Sequence, residues 1–266
     1  ADLDLPTGSF ALLQGTGRDA GTALARSPKV DRLGFVGGRD AARMVTRSAA
    51  EPLTACAIST GNLNPSVLLA DGDLDSLAGN LVASLFAHAG QGGFSSRWCL
   101  VPDERLPDVL AALACGLDAL EASGGAGTSV APLVSEDRRV RVVRFLTALE
   151  RYAPESTIGT VQRPTAFPMG YFVSPSVVVD PSPNDLTRGA DLPGPVLFVS
   201  PYRSEEELAS SLLDMRGSGA LNVYSARGAE ALPPVLARTR SPIRINGGRA
   251  DGADATESLW CGFHEG

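Results

Sequence analysis

The sequence predicts an α/β protein, and three observations carry that expectation. Short apolar runs alternate with segments whose apolar residues recur at three and four positions. The first forty residues already read strand, helix, strand. The 266 residues, 44% of them hydrophobic, suffice for one large core or two modest ones. Residues 10–14 and 32–36 are the expected strands and 19–26 the helix between them, a βαβ unit whose right-handed crossover makes the sheet parallel. Gly37-Gly38 closes that unit.

A helix is expected over about 41–48, followed by short strands at 56–59 and 66–70 around the turn Gly61-Asn62-Leu63-Asn64-Pro65. Over 74–88 the residues Leu74, Leu77, Leu81, Val82, Leu85 and Phe86 hold helical spacing, with Asp73 or Asp75 placed to cap the start. A strand at 99–101 precedes an amphipathic helix at 106–123, with Cys115 on its apolar face, and Gly124-Gly125 ends it in a turn over 124–128. A third helix, 135–153, carries arginines that read as a solvated face. The proline-rich stretch 154–183 holds an extended segment at 170–180. Strand 195–200, helix 205–215, strand 221–224, helix 230–238 and strand 243–246 complete the alternation, with no internal repeat.

Composition removes several function classes. A net charge of −7 argues against a nucleic-acid partner, which needs a clustered basic face. The longest apolar runs are far too short to cross a bilayer, so no membrane partner is expected. Lys29 is the only lysine, which removes Schiff-base chemistry unless Lys29 supplies it. Cys56, Cys99, Cys115 and Cys261 form no CxxC pair, and with only His88 and His264 beside them no metal site is expected. An even cysteine count is compatible with disulfides; the large core and irregular spacing read better as reduced, mostly buried thiols in a cytoplasmic protein. With no initiator Met and no signal segment, the chain is expected to be processed, excised or renumbered.

Gly15, Gly17 and Gly21 lie between an expected strand and helix as GxGxxxG. Such glycines let helix amides approach a pyrophosphate, or simply make a strand-to-helix turn. More specific is an ordered series: Gln14-Gly15-Thr16-Gly17, Val30 to Gly38, Gly61 with Asn64-Pro65, Asp71 to Asp75, Gly90-Gln91, Gly170-Tyr171-Phe172-Val173, and Gly194-Pro195-Val196-Leu197. In order and spacing the series resembles the NAD(P)-dependent aldehyde dehydrogenase superfamily, specifically its C-terminal half or somewhat more.

The resemblance implies a three-layer αβα catalytic domain joined to a partial Rossmann-like cofactor domain. Residues 1–58 would be the remnant of the cofactor domain, 59–245 the catalytic domain and 246–266 a C-terminal return segment containing Cys261-Gly262-Phe263. It also implies NAD or NADP as cofactor, bound weakly or not at all, with Gly15, Gly17, Gly21, Gly37, Gly38 and Asp191 as the candidate contacts. The expected partner is a second copy of the chain, or a chain or domain supplying the N-terminal half. The family's early strands, its aromatic-Asn-x-Pro segment and its Lys-Pro segment have no counterpart here.

The chemistry departs from the family. Relatives attack the aldehyde with a thiolate in Gly-Gln-x-Cys, and the resemblance places Gly93 of Gly90-Gln91-Gly92-Gly93 at that position. The general-base Glu of Glu-Leu-Gly-Gly-Lys-Asn-Pro becomes Ser59. The ribose-binding Glu of Glu-x-Phe-Gly-Pro becomes Asp191, and its Phe becomes Pro193. Aldehyde oxidation is therefore expected to be lost, leaving a structural, assembly or ligand-binding role. The other reading is an oxidoreductase acting on a small aldehyde or semialdehyde, completed by a half not present in this chain.

Other candidates each carry a plainer reading. Cys99 could be a displaced nucleophile, but its apolar strand reads as core. Ser95 or Ser96 with His88 could form a nucleophile and base, or His88 could simply favour a helix end. Asp71, Asp73 and Asp75 read as helix capping more readily than as a cation loop. Glu205-Glu206-Glu207 reads as a solvated first turn. Arg39 could meet a 2′-phosphate or be surface charge.

Overall fold

A computed structural model describes residues 6–60, 64–92, 95–122, 131–152, 157–158, 170–179, 192, 194–214, 220–234, 236 and 242–247. The chain divides into two compact units, the second beginning at Asn62.

In the first unit a turn over Gly17–Gly21 leads into the short helix α1, Thr22–Ala25. Then β1 (Arg32–Gly37), α2 (Arg39–Ala50) and β2 (Ala55–Thr60) form a parallel βαβ unit, with Leu33 opposite Cys56 and Gly37 opposite Thr60. Ala42 and Ala49, two turns apart, are the buried stripe of α2, and the Thr54 hydroxyl donates to the Val30 carbonyl at 3.1 Å. The βαβ unit thus lies one element later than the sequence indicates. Residues 10–14 are not a strand, because a strand exists only in a ladder and β1 pairs with β2 alone among the described residues.

The second unit is built on a seven-stranded sheet. Its strands are β3 (Ser66–Leu68), β4 (Trp98–Pro102), β5 (Thr157–Ile158), β6 (Ser176–Val179), β7 (Val196–Tyr202), β8 (Leu221–Tyr224) and β9 (Ile243–Ile245). They lie in the order β5-β6-β7-β4-β3-β8-β9, and every pair is parallel except β5 with β6. Parallel strands must be covered on both faces, so central ones read as continuous apolar runs; all five residues of β4 are buried. Alternation along β4 and β7 divides the core. Cys99, Val101, Leu197 and Val199 meet α3 (Leu74–Phe86) and α4 (Leu106–Ala122). On the other face Trp98, Leu100 and Phe198 meet α5 (Glu136–Tyr152) and α6 (Glu205–Asp214), the Trp98 and Phe198 rings standing 5.1 Å apart. The result is a three-layer αβα sandwich.

Three expectations are corrected. Cys115 is exposed, because the apolar stripe of α4 runs through Val109, Leu113 and Leu117, and a residue two positions from Leu113 faces away. No continuous helix fills the described part of the expected 230–238 segment: a tight turn over Gly228–Ala231 is interrupted at Leu232 and Pro233, with tight-turn geometry again at Pro234 and Leu236, because Pro233 and Pro234 lack the amides a helix interior needs. The helix expected to reach His88 ends at Phe86. The turns at 61–63 and 124–128 lie outside the described residues.

Candidate functional site

The Gly90-Gln91 segment follows an unusual reversal. After α3 the residues His88, Ala89 and Gly90 all have positive φ, at 51°, 54° and 66°. The left-handed conformation costs roughly 1–2 kcal/mol for a residue with a side chain, so the turn needs external support. Gly90 is fitted by close approach: a Cβ there would stand 2.5 Å from the Gly194 carbonyl oxygen. Gln91 supplies the rest. Its Nε2 donates to the His88 carbonyl at 2.9 Å and the Pro132 carbonyl at 3.3 Å, while its Oε1 accepts from the Val134 amide at 3.0 Å. One side chain thereby ties the turn to a loop more than forty residues away, a link no local pattern announces.

Gly93, which the resemblance is expected to place at the nucleophile position, lies outside the described residues, as do Asp191 and Pro193. The residues that follow Gly93 are occupied structurally. Ser95 and Ser96 are buried. The Ser96 amide donates to the Ser84 hydroxyl, its own hydroxyl donates to the Asn64 carbonyl at 2.9 Å, and its Oγ lies 2.8 Å from that of Ser66. Asn64 Nδ2 donates to the Ser95 carbonyl at 3.3 Å. His88 is exposed, and its carbonyl is what Gln91 engages. Buried serines bonded to backbone and an exposed imidazole are not brought together as a nucleophile and its base.

Among the described thiols, Cys99 is fully buried in β4, and desolvation pushes its pKa well above the ordinary thiol range. Cys56 is half-buried on β2 and Cys115 is exposed on α4. Ser59, which the resemblance is expected to place at the general-base position, is half-buried on β2 opposite Val36 in the first unit.

The glycines of the first unit differ in what requires them. A Cβ on Gly15 would meet that of Ala20 at 2.7 Å, so the turn itself demands glycine there, and the Thr16 hydroxyl accepts from the Asp19 amide to cap the turn. Gly17 and Gly21 face open space. Gly37 lies under the Phe35 ring, and Gly38 opens α2 with no side chain capping the first-turn amides; Arg39, the first helical residue, is exposed.

The acidic candidates resolve individually. Asp73 caps α3, its carboxylate accepting from the Asp75 and Ser76 amides. Asp71 instead joins the carboxyl ends of β3 and β8, accepting from the Ser225 hydroxyl at 3.0 Å and the Arg227 amide at 3.0 Å. Asn246 extends this clasp to β9, exchanging hydrogen bonds with the Ser225 backbone at 2.9 and 2.7 Å. The first turn of α6 is exposed, with the Glu207 carboxylate accepting from the Arg203 amide at 2.7 Å. Among the described residues no three His, Cys, Asp or Glu side chains gather as for a metal, and no helix is long and apolar enough to cross a membrane.

Comparison with known proteins adds the family. The aldehyde dehydrogenase family profile matches residues 1–233. Geranial dehydrogenase from Castellaniella defragrans is 27% identical over 249 residues, which cover 93% of this chain and 51% of that protein. An NAD-dependent aldehyde dehydrogenase structure from Sinorhizobium meliloti superposes with a TM-score of 0.79 at 22% identity, over 90% of this chain and 47% of its own. An aldehyde dehydrogenase from Mycobacterium tuberculosis, complexed with NAD+, gives a TM-score of 0.73 at 28% identity, over 87% and 48%. The chain spans about half the length of the curated relatives it matches.

Proposed function

Because the chain belongs to the aldehyde dehydrogenase family, we propose that it is a family module that has lost aldehyde oxidation and acts through its scaffold, in assembly or ligand binding. The observation that carries this reading is Gly93, which offers no atom to attack a carbonyl where relatives carry a thiolate. No described thiol replaces it: burial keeps Cys99 protonated, and neither Cys56 nor Cys115 belongs to the segment preceding β4. Ser59 supports the same reading, since a hydroxyl is a poor base for activating water. The free thiols Cys56, Cys99 and Cys115 support a cytoplasmic setting.

Part of a dinucleotide site fits the residues present. The uncapped first turn of α2 behind Gly37-Gly38 has amides suited to an anionic group, and Gly17 and Gly21 leave room for one to approach. When bound, a nicotinamide accepts hydride; these described residues would hold the dinucleotide's phosphates. A second reading is an oxidoreductase for a small aldehyde or semialdehyde, completed by an N-terminal half not present in this chain; the similarity to NAD-dependent aldehyde dehydrogenases supports it. The test is incubation with NAD+ or NADP+ and a panel of aldehydes, read by nicotinamide absorbance and by intact mass. The module reading expects neither reduced cofactor nor a covalent adduct; steady turnover would establish the second reading.

A further inference from the structure

The end of α3 carries a conflict between its sequence and its conformation. Leu77, Leu81, Leu85 and Ala89 are all buried and follow one another at four-residue steps, so a helix carried on to Ala89 would keep that residue on its buried face. Ala87, His88 and Ala89 include no helix breaker, and Gly90 directly after them is the usual left-handed stop. The helix nevertheless ends at Phe86. His88 (φ 51°, ψ 31°) and Ala89 (φ 54°, ψ 41°) are left-handed as well as Gly90, although one left-handed glycine would have ended the helix without strain. What opposes the helix is tertiary: the strut from Gln91 to Pro132 and Val134, more than forty residues away. Two strained residues weigh against the helix-ending turn, and the three hydrogen bonds of the Gln91 side chain weigh for it. These opposing effects are of similar size, which makes the two arrangements close competitors.

We infer that the end of α3 is a two-state switch. In the latched state, the one described above, Gln91 spans to Pro132 and Val134 and the helix stops at Phe86. In the released state α3 gains the turn Ala87-His88-Ala89, Gly90 alone stays left-handed as its cap, and Gln91 withdraws from the loop that opens α5. Release frees the Pro132 carbonyl and the Val134 amide together, beside the exposed Val134 side chain. The position of the Gly90-Gln91-Gly92 segment is thereby coupled to the start of α5. A ligand that takes the places of the Gln91 carboxamide on that loop favours release, because it binds only the state in which they are vacant. The switch operates whether or not the chain oxidises aldehydes.

The test is nuclear magnetic resonance of the full chain and two variants. Chemical-exchange saturation transfer at His88 and Ala89 is expected to show a minor state with helical Cα shifts. His88→Gly alters an exposed side chain, suits a left-handed residue and disfavours a helical one. It should therefore shrink the minor state and slow hydrogen exchange of the Val134 amide, each by roughly tenfold. Gln91→Ala removes the strut and should raise the helical population at least about tenfold. A minor state with coil shifts overturns the inference, as does the absence of a helical state from both the native chain and Gln91→Ala. Should Gln91→Ala not fold, the native chain and His88→Gly decide alone: Val134 exchange that His88→Gly leaves unchanged or accelerates overturns the switch.

Discussion

At the scale of single residues, Gly90 is where backbone and packing constraints coincide. Its φ of 66° disfavours any side chain, and the Gly194 carbonyl occupies the place of a Cβ. Gly90→Ala is expected to cost about 1–3 kcal/mol, read as a lower urea midpoint at unchanged slope. The cysteines divide by exposure: under native conditions a thiol reagent should label Cys115 rapidly and Cys99 only on unfolding, and labelling of native Cys99 would contradict its burial in β4. Much at this scale was legible beforehand. The Gly-Gln pair stands in the sequence, and the apolar run around Cys99 marks it as core. That Gln91 reaches Pro132 and Val134 was not legible, because a side-chain bond across such a separation depends on where two loops meet in space.

At the scale of elements, periodicity predicts α3, α4, α5 and α6 within a few residues, since an apolar stripe over several turns has no other economical arrangement. It fails where a missing partner or a proline decides. Residues 10–14 have strand composition but no ladder, and Pro233-Pro234 interrupts an otherwise helical stretch. The clasp joining the ends of β3, β8 and β9 gives a pH dependence. Partial desolvation raises the Asp71 pKa, but hydrogen bonds from the Arg227 amide, the Ser225 hydroxyl and the Arg227 guanidinium outweigh it, and the carboxyl is held below its ordinary value. A carboxyl with a depressed pKa contributes stability that is complete above its unfolded pKa and disappears as pH falls through the folded one. The stability advantage of the native chain over Asp71→Asn should therefore be constant near neutrality and shrink below about pH 4–5 in denaturation series. An advantage independent of pH would show that the carboxylate charge plays no part in the clasp.

At the scale of the whole molecule, the two units differ in what holds them. The second has apolar clusters on both faces of its sheet; the first, among its described residues, buries only Ala25, Leu33, Ala42 and Ala49 as apolar side chains. Limited proteolysis of the chain alone is expected to cut first within 6–60 and to leave a resistant fragment containing 64–236; equal cutting of both would show comparable stability. The family and the layered architecture were legible from ordered motifs and alternating periods, whereas this inequality was not, because exposure belongs to the assembled surface. Both apolar clusters draw only on residues between Val67 and Ile243. A gene split or fused at the codons between 60 and 64 would leave each of them whole, so that recombination there could exchange the leading portion for another without the trailing portion having to invent a new interior.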